Sequence, residues 1–394
     1  MTYNFNDILN RRNNSSMKWE APYIKKRFHI DIDDHTEIFP MFIADMDFKM
    51  DINVKNKLHS LIEEPDFGYF HIQDSFYQSI INWYKDIHYL DIHKNWIVPS
   101  IGTISSLHLA CDMIASDKEI VFMTPVYGPF LNCAKIGHPI TLPLLLEDNR
   151  YIIDFINLEK IFKNHNIKVL LFCNPHNPGG RIWSKEELKQ LVLLCKQYDV
   201  TILSDEIHGD FIFNNQKYTS LLEFHDIYDY IIVSTSPNKT FNISGLSTSF
   251  ILCTNKQLKE DYESYLNRLH ITPNRLGINM IEYVYTYGKE WYKELLKVIQ
   301  SNIDYIVNTV TLSGCTVMKP EGGFLVWVYL NNVDDVDQFI LKLAKDTHVL
   351  LETGARFVDN YQGWIRINAA TSPNIVQEAM KRFIQFYNTH YQNS

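Results

Sequence analysis

Positive charge is the first thing this sequence lacks. Its 37 lysines and arginines are outnumbered by 46 aspartates and glutamates, giving a formal net charge of −9, and no basic run exceeds three residues. A global electrostatic attraction to nucleic acid is excluded on that balance. Cysteine is scarce: Cys111, Cys133, Cys173, Cys195, Cys253 and Cys315 are widely spaced, with no C-x-x-C pair among them. A small disulfide scaffold is therefore ruled out, and all six are expected to be reduced and structural. Cys173 in VLLFC and Cys253 in FILC already sit in apolar runs, where a thiol packs as a small hydrophobe. No apolar run approaches the roughly 18–20 residues of a membrane span. The opening MTYNFNDILNRRNNSS holds no hydrophobic signal core. These absences point to a cytoplasmic protein with neither a nucleic-acid nor a membrane partner. Internal repeats and low-complexity tracts are missing as well, which excludes a solenoid.

What the chain does have is length and hydrophobicity. Its 394 residues are 46% hydrophobic and 21% charged, enough for two or three domains with a large core and too apolar for a disordered chain. From about 95 to 255 a short apolar run recurs, each time leading into a polar, turn-rich loop. The runs are Ile120–Met123, Val169–Cys173, Thr201–Leu203, Ile231–Val233 and Phe250–Cys253. Continuous rather than alternating hydrophobicity predicts strands buried on both faces, as in a largely parallel sheet. Helical patterns lie between the runs. Ser184 and Glu187 form a capping-box pattern ahead of Leu188, Leu191, Val192 and Cys195, and a second stripe after Gly102 carries Leu107, Ala110, Cys111 and Ile114. Alternating strands and helices predict an open α/β domain wound on both sides.

From about 286 the texture changes. A long helical pattern (290–309) leads to a strand at 324–328, a helix at 335–346, a short strand at 364–367 and a final amphipathic helix from Ile375. This reads as a smaller α+β domain. The division expected is a large domain over 46–285, with 1–45 and 286–394 forming an N-terminal arm and the small C-terminal domain.

Ligands of open α/β sheets bind outside the carboxyl ends of the strands, so the loop after each apolar run is the place to seek chemistry. The successive runs lead into Thr124-Pro-Val-Tyr127, Asn174-Pro-His-Asn-Pro-Gly-Gly180, Ser204-Asp-Glu-Ile-His208 and Ser234-Thr-Ser-Pro-Asn-Lys239. One crevice would collect an aromatic ring, a carboxamide, a carboxylate, an imidazole, hydroxyls and a lysine. Asp205 and His208 alone are too few for a metal site, and none is expected. The set does suit pyridoxal phosphate, which needs a lysine for its Schiff base and an acid beside its ring nitrogen, with a stacking ring and phosphate donors around it.

With Ala44-Asp-Met-Asp-Phe48, Phe67-Gly-Tyr69, Lys239-Thr-Phe-Asn-Ile-Ser-Gly-Leu246 and Arg366-Ile-Asn added in that order, nearly the whole chain resembles the fold-type I pyridoxal-phosphate enzymes, the aspartate aminotransferase superfamily. Within it the chain is most similar to the MalY/PatB-like cystathionine β-lyases and cysteine C–S lyases. The resemblance implies a mainly parallel seven-stranded sheet in the large domain, a smaller α+β domain, and a homodimer with shared active sites. It also implies roles. Lys239 would carry the cofactor and act as base, the alternative being an ordinary surface lysine. Asp205 would face the pyridinium nitrogen rather than cap a helix. His208 would bond Asp205 or lie near the phenolic oxygen, or else be a packed structural histidine. Asn177 would donate to the phenolic oxygen, Tyr127 would stack on the ring, and Asn174 would serve the turn.

The phosphate would sit at the helix start, on the Thr103 and Ile104 N–H groups, with Ser236 adding a hydroxyl. Many family members have an arginine eight residues after the lysine, where this chain has Ser247. Tyr69 matches a position that reaches the neighbouring subunit's phosphate and substrate. Arg366 would take the substrate α-carboxylate with Asn177 beside it, the alternative being a surface ion pair. Gly354 to Phe357 would line the entrance, and Ala44 to Phe48 would lie near the substrate side chain. The activity implied is β-elimination from S-substituted cysteines. An aminotransferase sharing every residue is the alternative, and a protein-binding regulator built on the same scaffold is a third reading.

Overall fold

The computed structural model describes residues 3–63, 66–213, 216–359 and 361–391. Its central sheet has seven strands: β1 (Ile97–Ser100), β2 (Glu119–Thr124), β3 (His138–Pro143), β4 (Ile167–Cys173), β5 (Thr201–Asp205), β6 (Ile231–Thr235) and β7 (Ser249–Leu252), in the spatial order β1-β7-β6-β5-β4-β2-β3. All pairings are parallel except those of β7, which runs against both β6 and β1. The last of the five apolar runs is thus the one reversed strand of the sheet.

The unbroken hydrophobicity of these strands has a direct cause. Successive side chains point to opposite faces, and both faces are packed. Val121, Leu170, Ile202 and Val233 enter one core, while Ile120, Phe122, Val169, Leu171, Leu203 and Ile232 enter the other. Each such side chain contributes about 1.5–3 kcal/mol on burial. Strand β3 escaped the sequence reading because it is an edge strand, half-exposed and bracketed by Pro139 and Pro143, which an edge tolerates.

The helices that cover the sheet obey their apolar stripes. Helix α1 (Thr103–Ala115) buries Leu107, Ala110, Cys111 and Ala115, with Ile114 only half-buried. Helix α2 (Lys185–Gln197) starts at the expected capping box: the Ser184 hydroxyl accepts from the Glu187 N–H, and the Glu187 carboxylate accepts from the Ser184 N–H. All six cysteines are free and buried.

A second, four-stranded sheet is built from β8 (Thr316–Met318), β9 (Leu325–Tyr329), β10 (Glu352–Thr353) and β11 (Trp364–Asn368), ordered β8-β9-β11-β10 and antiparallel throughout. Arg366 lies in its interior, opposite Trp327 on one side and Glu352 on the other. The N-terminal segment is stitched to this region. Phe39–Pro40 pairs in parallel with Val349–Leu350, and the Asn368 N–H donates to the Met41 carbonyl at 2.9 Å. The N-terminal segment therefore lies beside the second sheet, where it faces the carboxyl ends of the first. Among the described residues no helix is long and apolar enough to cross a membrane.

Candidate active site

A cavity of about 480 Å³ opens at the carboxyl ends of the parallel strands. It gathers Thr103 and Ile104 from the start of α1, Tyr127 from beyond β2, and Asn177 from beyond β4. Asp205 and His208 from the end of β5, Lys239 from the loop after β6, and Arg366 from the second sheet complete it. Eight of the ten residues picked from the sequence thus share one space. Ser236 and Tyr69 do not. The Ser236 hydroxyl is turned inward, donating to the Thr248 carbonyl at 2.8 Å and accepting from the Asn238 N–H. Tyr69 is fully exposed, in a separate surface hollow with Arg275.

Burial dominates the acid–base chemistry of the floor. Lys239 Nζ donates to the Ala44 carbonyl at 2.6 Å, its one hydrogen bond among the described residues. Desolvation draws its pKa down to about 8, with the Arg366 charge adding to the shift while Asp45 and Asp205 oppose it. Asp205 is pushed up to about 7, again mainly by burial. Its Oδ1 accepts only the Ile207 N–H, at 3.2 Å. Glu206, the next residue, is spent on structure: it accepts from Ser204 Oγ, Tyr218 OH and the Leu221 N–H. Of the two adjacent acids, Asp205 alone keeps capacity for a ligand.

His208 is buried edge-on to Phe324, its ring 5.8 Å away, and is held neutral, its pKa drawn down to about 3 by burial with Lys239 and Arg366 adding. Its Nδ1 has no hydrogen-bond partner, and among the described residues no bond joins it to Asp205. Asn174 donates to the Thr219 carbonyl at 3.0 Å and so serves its loop. Asn177 accepts from Arg366 Nη1 at 3.2 Å through its Oδ1, an orientation that leaves its NH₂ as donor. Tyr127 is 40% exposed on the cavity wall, and burial of its inner side raises its pKa.

At the start of α1, Gly102 adopts φ +99°, a conformation that other residues rarely hold. The turn it makes leaves the first N–H groups of the helix without helical partners. Thr103 adds a buried hydroxyl that also has none. An anion is the natural occupant of that cradle.

The roof of the site was largely hidden in the sequence. Residues 42–46 form a strap in which five successive carbonyls accept from side chains. Phe42 takes Arg366 Nη2 at 3.2 Å, Ile43 takes Asn368 at 2.5 Å, and Ala44 takes Lys239. Asp45 takes Asn368 and Lys18, and Met46 takes Arg11 and Asn242. The adjoining Asp47 is fully buried, accepting from Lys18 at 2.8 Å, Trp19 Nε1 at 2.7 Å and Arg11 at 3.0 Å. Burial alone would raise its pKa, but the Lys18 charge and these hydrogen bonds outweigh burial and hold it low. Arg27 and Glu352, also unforeseen, pair at 2.6 and 2.8 Å on the cavity wall. The motif Ala44 to Phe48 marks this segment in the sequence, and Ala44 does line the cavity; the basic residues that bind the strap lie in the polar N-terminal stretch, where nothing singles them out.

The floor accommodates pyridoxal phosphate on its own chemistry. Asp205 lacks a cation, the α1 cradle and Thr103 lack an anion, and Lys239 holds an amine of lowered basicity between them. Among the described residues no cluster of histidine, cysteine and acidic side chains is set to hold a metal ion.

Comparison with known proteins agrees. Residues 52–383 match the family described as aminotransferase class I and II. The chain is 29% identical to cystathionine beta-lyase PatB of Bacillus subtilis over 96% of its own length and 98% of the relative's. It is 24% identical to protein MalY of Escherichia coli, covering 93% and 94%. Among solved structures, cystalysin of Treponema denticola with its pyridoxal 5′-phosphate superposes with a TM-score of 0.90 at 28% identity, covering 99% of this chain and all of that one. The PLP-bound C-S lyase of Staphylococcus hominis gives 0.88 at 28% identity, with 98% of each chain covered.

Proposed function

The chain belongs to the aminotransferase class I and II family, and from that premise we propose that it is a pyridoxal-phosphate-dependent carbon–sulfur β-lyase cleaving S-substituted cysteines to thiol, pyruvate and ammonia. The observation that carries this reading is the juxtaposition in one cavity of Lys239 with a pKa near 8, a buried Asp205 short of a cation, and an Arg366 fork oriented by Asn177.

Bound pyridoxal phosphate supplies an electron sink for negative charge at the substrate α-carbon. The chain's own groups do the rest. Lys239 Nζ would hold the cofactor and would serve as the base for the α-proton, a transfer suited to an amine whose pKa lies near the working pH. Asp205 would keep the ring nitrogen protonated, and Asn177 would donate its NH₂ to the phenolic oxygen. Tyr127 would stack on the ring, a contact contributing about 0.5–1.5 kcal/mol beyond its buried area. The N–H groups at the head of α1 and the Thr103 hydroxyl would hold the phosphate. Arg366 clamps the substrate α-carboxylate, fixing the angle at which the α-proton and the β-thiolate leave.

Tyr69 completes the phosphate site as a group of the partner subunit in a homodimer, which accounts for its full exposure on one chain. A cytoplasmic setting fits this chemistry.

The assay is thiol, pyruvate and ammonia release from cystathionine and other S-substituted cysteines, expected in equal amounts with no keto acid added. Mixing inactive Tyr69→Phe and Lys239→Ala variants should restore part of the turnover through heterodimers; a fully active monomer would remove the shared site. If turnover requires an added keto acid, the protein is an aminotransferase and the lyase reading fails.

A further inference from the structure

The mouth of the cavity carries more positive charge than an amino acid's own carboxylate requires. Arg27, Arg356 and Arg366 all line it, and the carboxylate beside them is Glu352. Arg27 bonds both oxygens of that carboxylate through Nη2, while its Nη1 donates to Tyr23 OH at 3.2 Å. Arg366 is tied to Asn177 and the Phe42 carbonyl and lies 5.2 Å from the Phe357 ring. Arg356 is different. Its Nε stands 3.6 Å from Glu352, beyond hydrogen-bond reach, and its side chain is 58% exposed. No other ion pair or side-chain hydrogen bond engages its guanidinium among the described residues. With Glu352 held closely by Arg27 and Arg366 reserved for the α-carboxylate, the looser 3.6 Å pairing with Glu352 is all that offsets the charge on Arg356 among the described residues.

The mounting of Arg356 is firm. It ends the short turn Gly354–Arg356, which starts at a Thr353 hydroxyl accepting from the Ala355 N–H. A side chain at Gly354 would run into the Tyr361 carbonyl, so the turn is packed tightly. Met17, Ile43 and Ala44 add apolar surface to the same cavity, suited to an aliphatic chain.

We propose that Arg356 forms a subsite for an anionic group at the far end of the sulfur substituent, so that the preferred substrates are S-substituted cysteines whose leaving thiol carries a carboxylate. The proposal rests on the β-lyase reading and narrows it. Guanidinium is suited to this task because its planar fork matches a carboxylate bidentately and stays charged at any working pH.

The test compares S-(2-carboxyethyl)cysteine with its neutral carboxamide on the holoenzyme, reading kcat/KM from thiol release and Kd from the cofactor absorbance change. A hydrogen-bonded charge pair at this partly exposed position predicts a carboxylate preference of roughly tenfold in both quantities. Arg356→Gln should bring the ratio to about one, Arg356→Lys should restore part of it, and Arg356→Glu should invert it. A wild type that does not distinguish the two compounds, or a preference that survives Arg356→Gln, overturns the subsite. If neither compound releases thiol yet Kd keeps the Arg356-dependent preference, the subsite stands and the β-lyase reading falls.

Discussion

The floor and the roof of the cavity solve opposite electrostatic problems. On the floor, Asp205 and Lys239 are desolvated and left short of partners, so their proton affinities are displaced toward neutrality. In the roof, Asp47 is at least as deeply buried but accepts from Lys18, Trp19 and Arg11, and it stays ionised. Burial is common to both, and the difference lies in how many partners each buried charge has. A group with unmet capacity is poised to bind or to move a proton, whereas a saturated group fixes geometry.

Deleting a charge from each region should therefore act with opposite sign. Asp47→Ala should cause the largest change, a loss of roughly 3–5 kcal/mol of stability, because Lys18 would be left buried with only its looser Asp45 contacts and Trp19 and Arg11 would lose their acceptor. Chemical denaturation measures it, and a loss under about 1 kcal/mol would mean that the roof is not saturated.

Asp205→Asn should stabilise the cofactor-free protein while lowering turnover. With the folded pKa near 7 and the unfolded value near the ordinary 3.8, the unfolded chain loses its proton first as pH rises. Asp205 therefore costs stability progressively between about pH 4 and 7, reaching roughly 2–4 kcal/mol above pH 7. The variant should lack this decline when melting is monitored across that range; identical profiles would mean the carboxylate already has a partner.

The smallest effect is a shift of a titration. In the cofactor-free protein the amine of Lys239 should become reactive toward an acylating reagent with a midpoint near pH 8, the increment being identified by its loss in Lys239→Ala. Protonation blocks the reaction, so reactivity should rise with pH and level off above 8. A midpoint near the ordinary 10.5 would place the lysine in solvent.

The same division decided what the sequence could disclose. The floor hangs on strand ends, and a strand buried on both faces announces itself by composition, so Tyr127, Asn177, Asp205 and Lys239 were found by reading the loop after each apolar run. The long helix at 289–312 and the strand at 364–368 were visible for similar reasons. The roof draws on Arg11, Lys18 and Arg27, which lie in a polar stretch with no periodicity, and on Asn242 and Asn368, which look like loop and strand polars. Their partners lie 27 to 325 residues away, and no local pattern encodes such pairings. Ser236 lies outside the cavity lining for a related reason. A hydroxyl three residues before the lysine faces either the ligand or the chain, and the nearby Thr248 carbonyl claims it here.

The strap also sets a length. Lys239 rests on the Ala44 carbonyl and Arg366 on that of Phe42, so two residues of backbone separate the points that anchor the amine and the guanidinium. Two residues span at most about 7 Å. The strap therefore works as a gauge fixed by covalent geometry. It ties the amine of Lys239 and the guanidinium of Arg366 to one short stretch of backbone, so a shift of the strap moves both groups together.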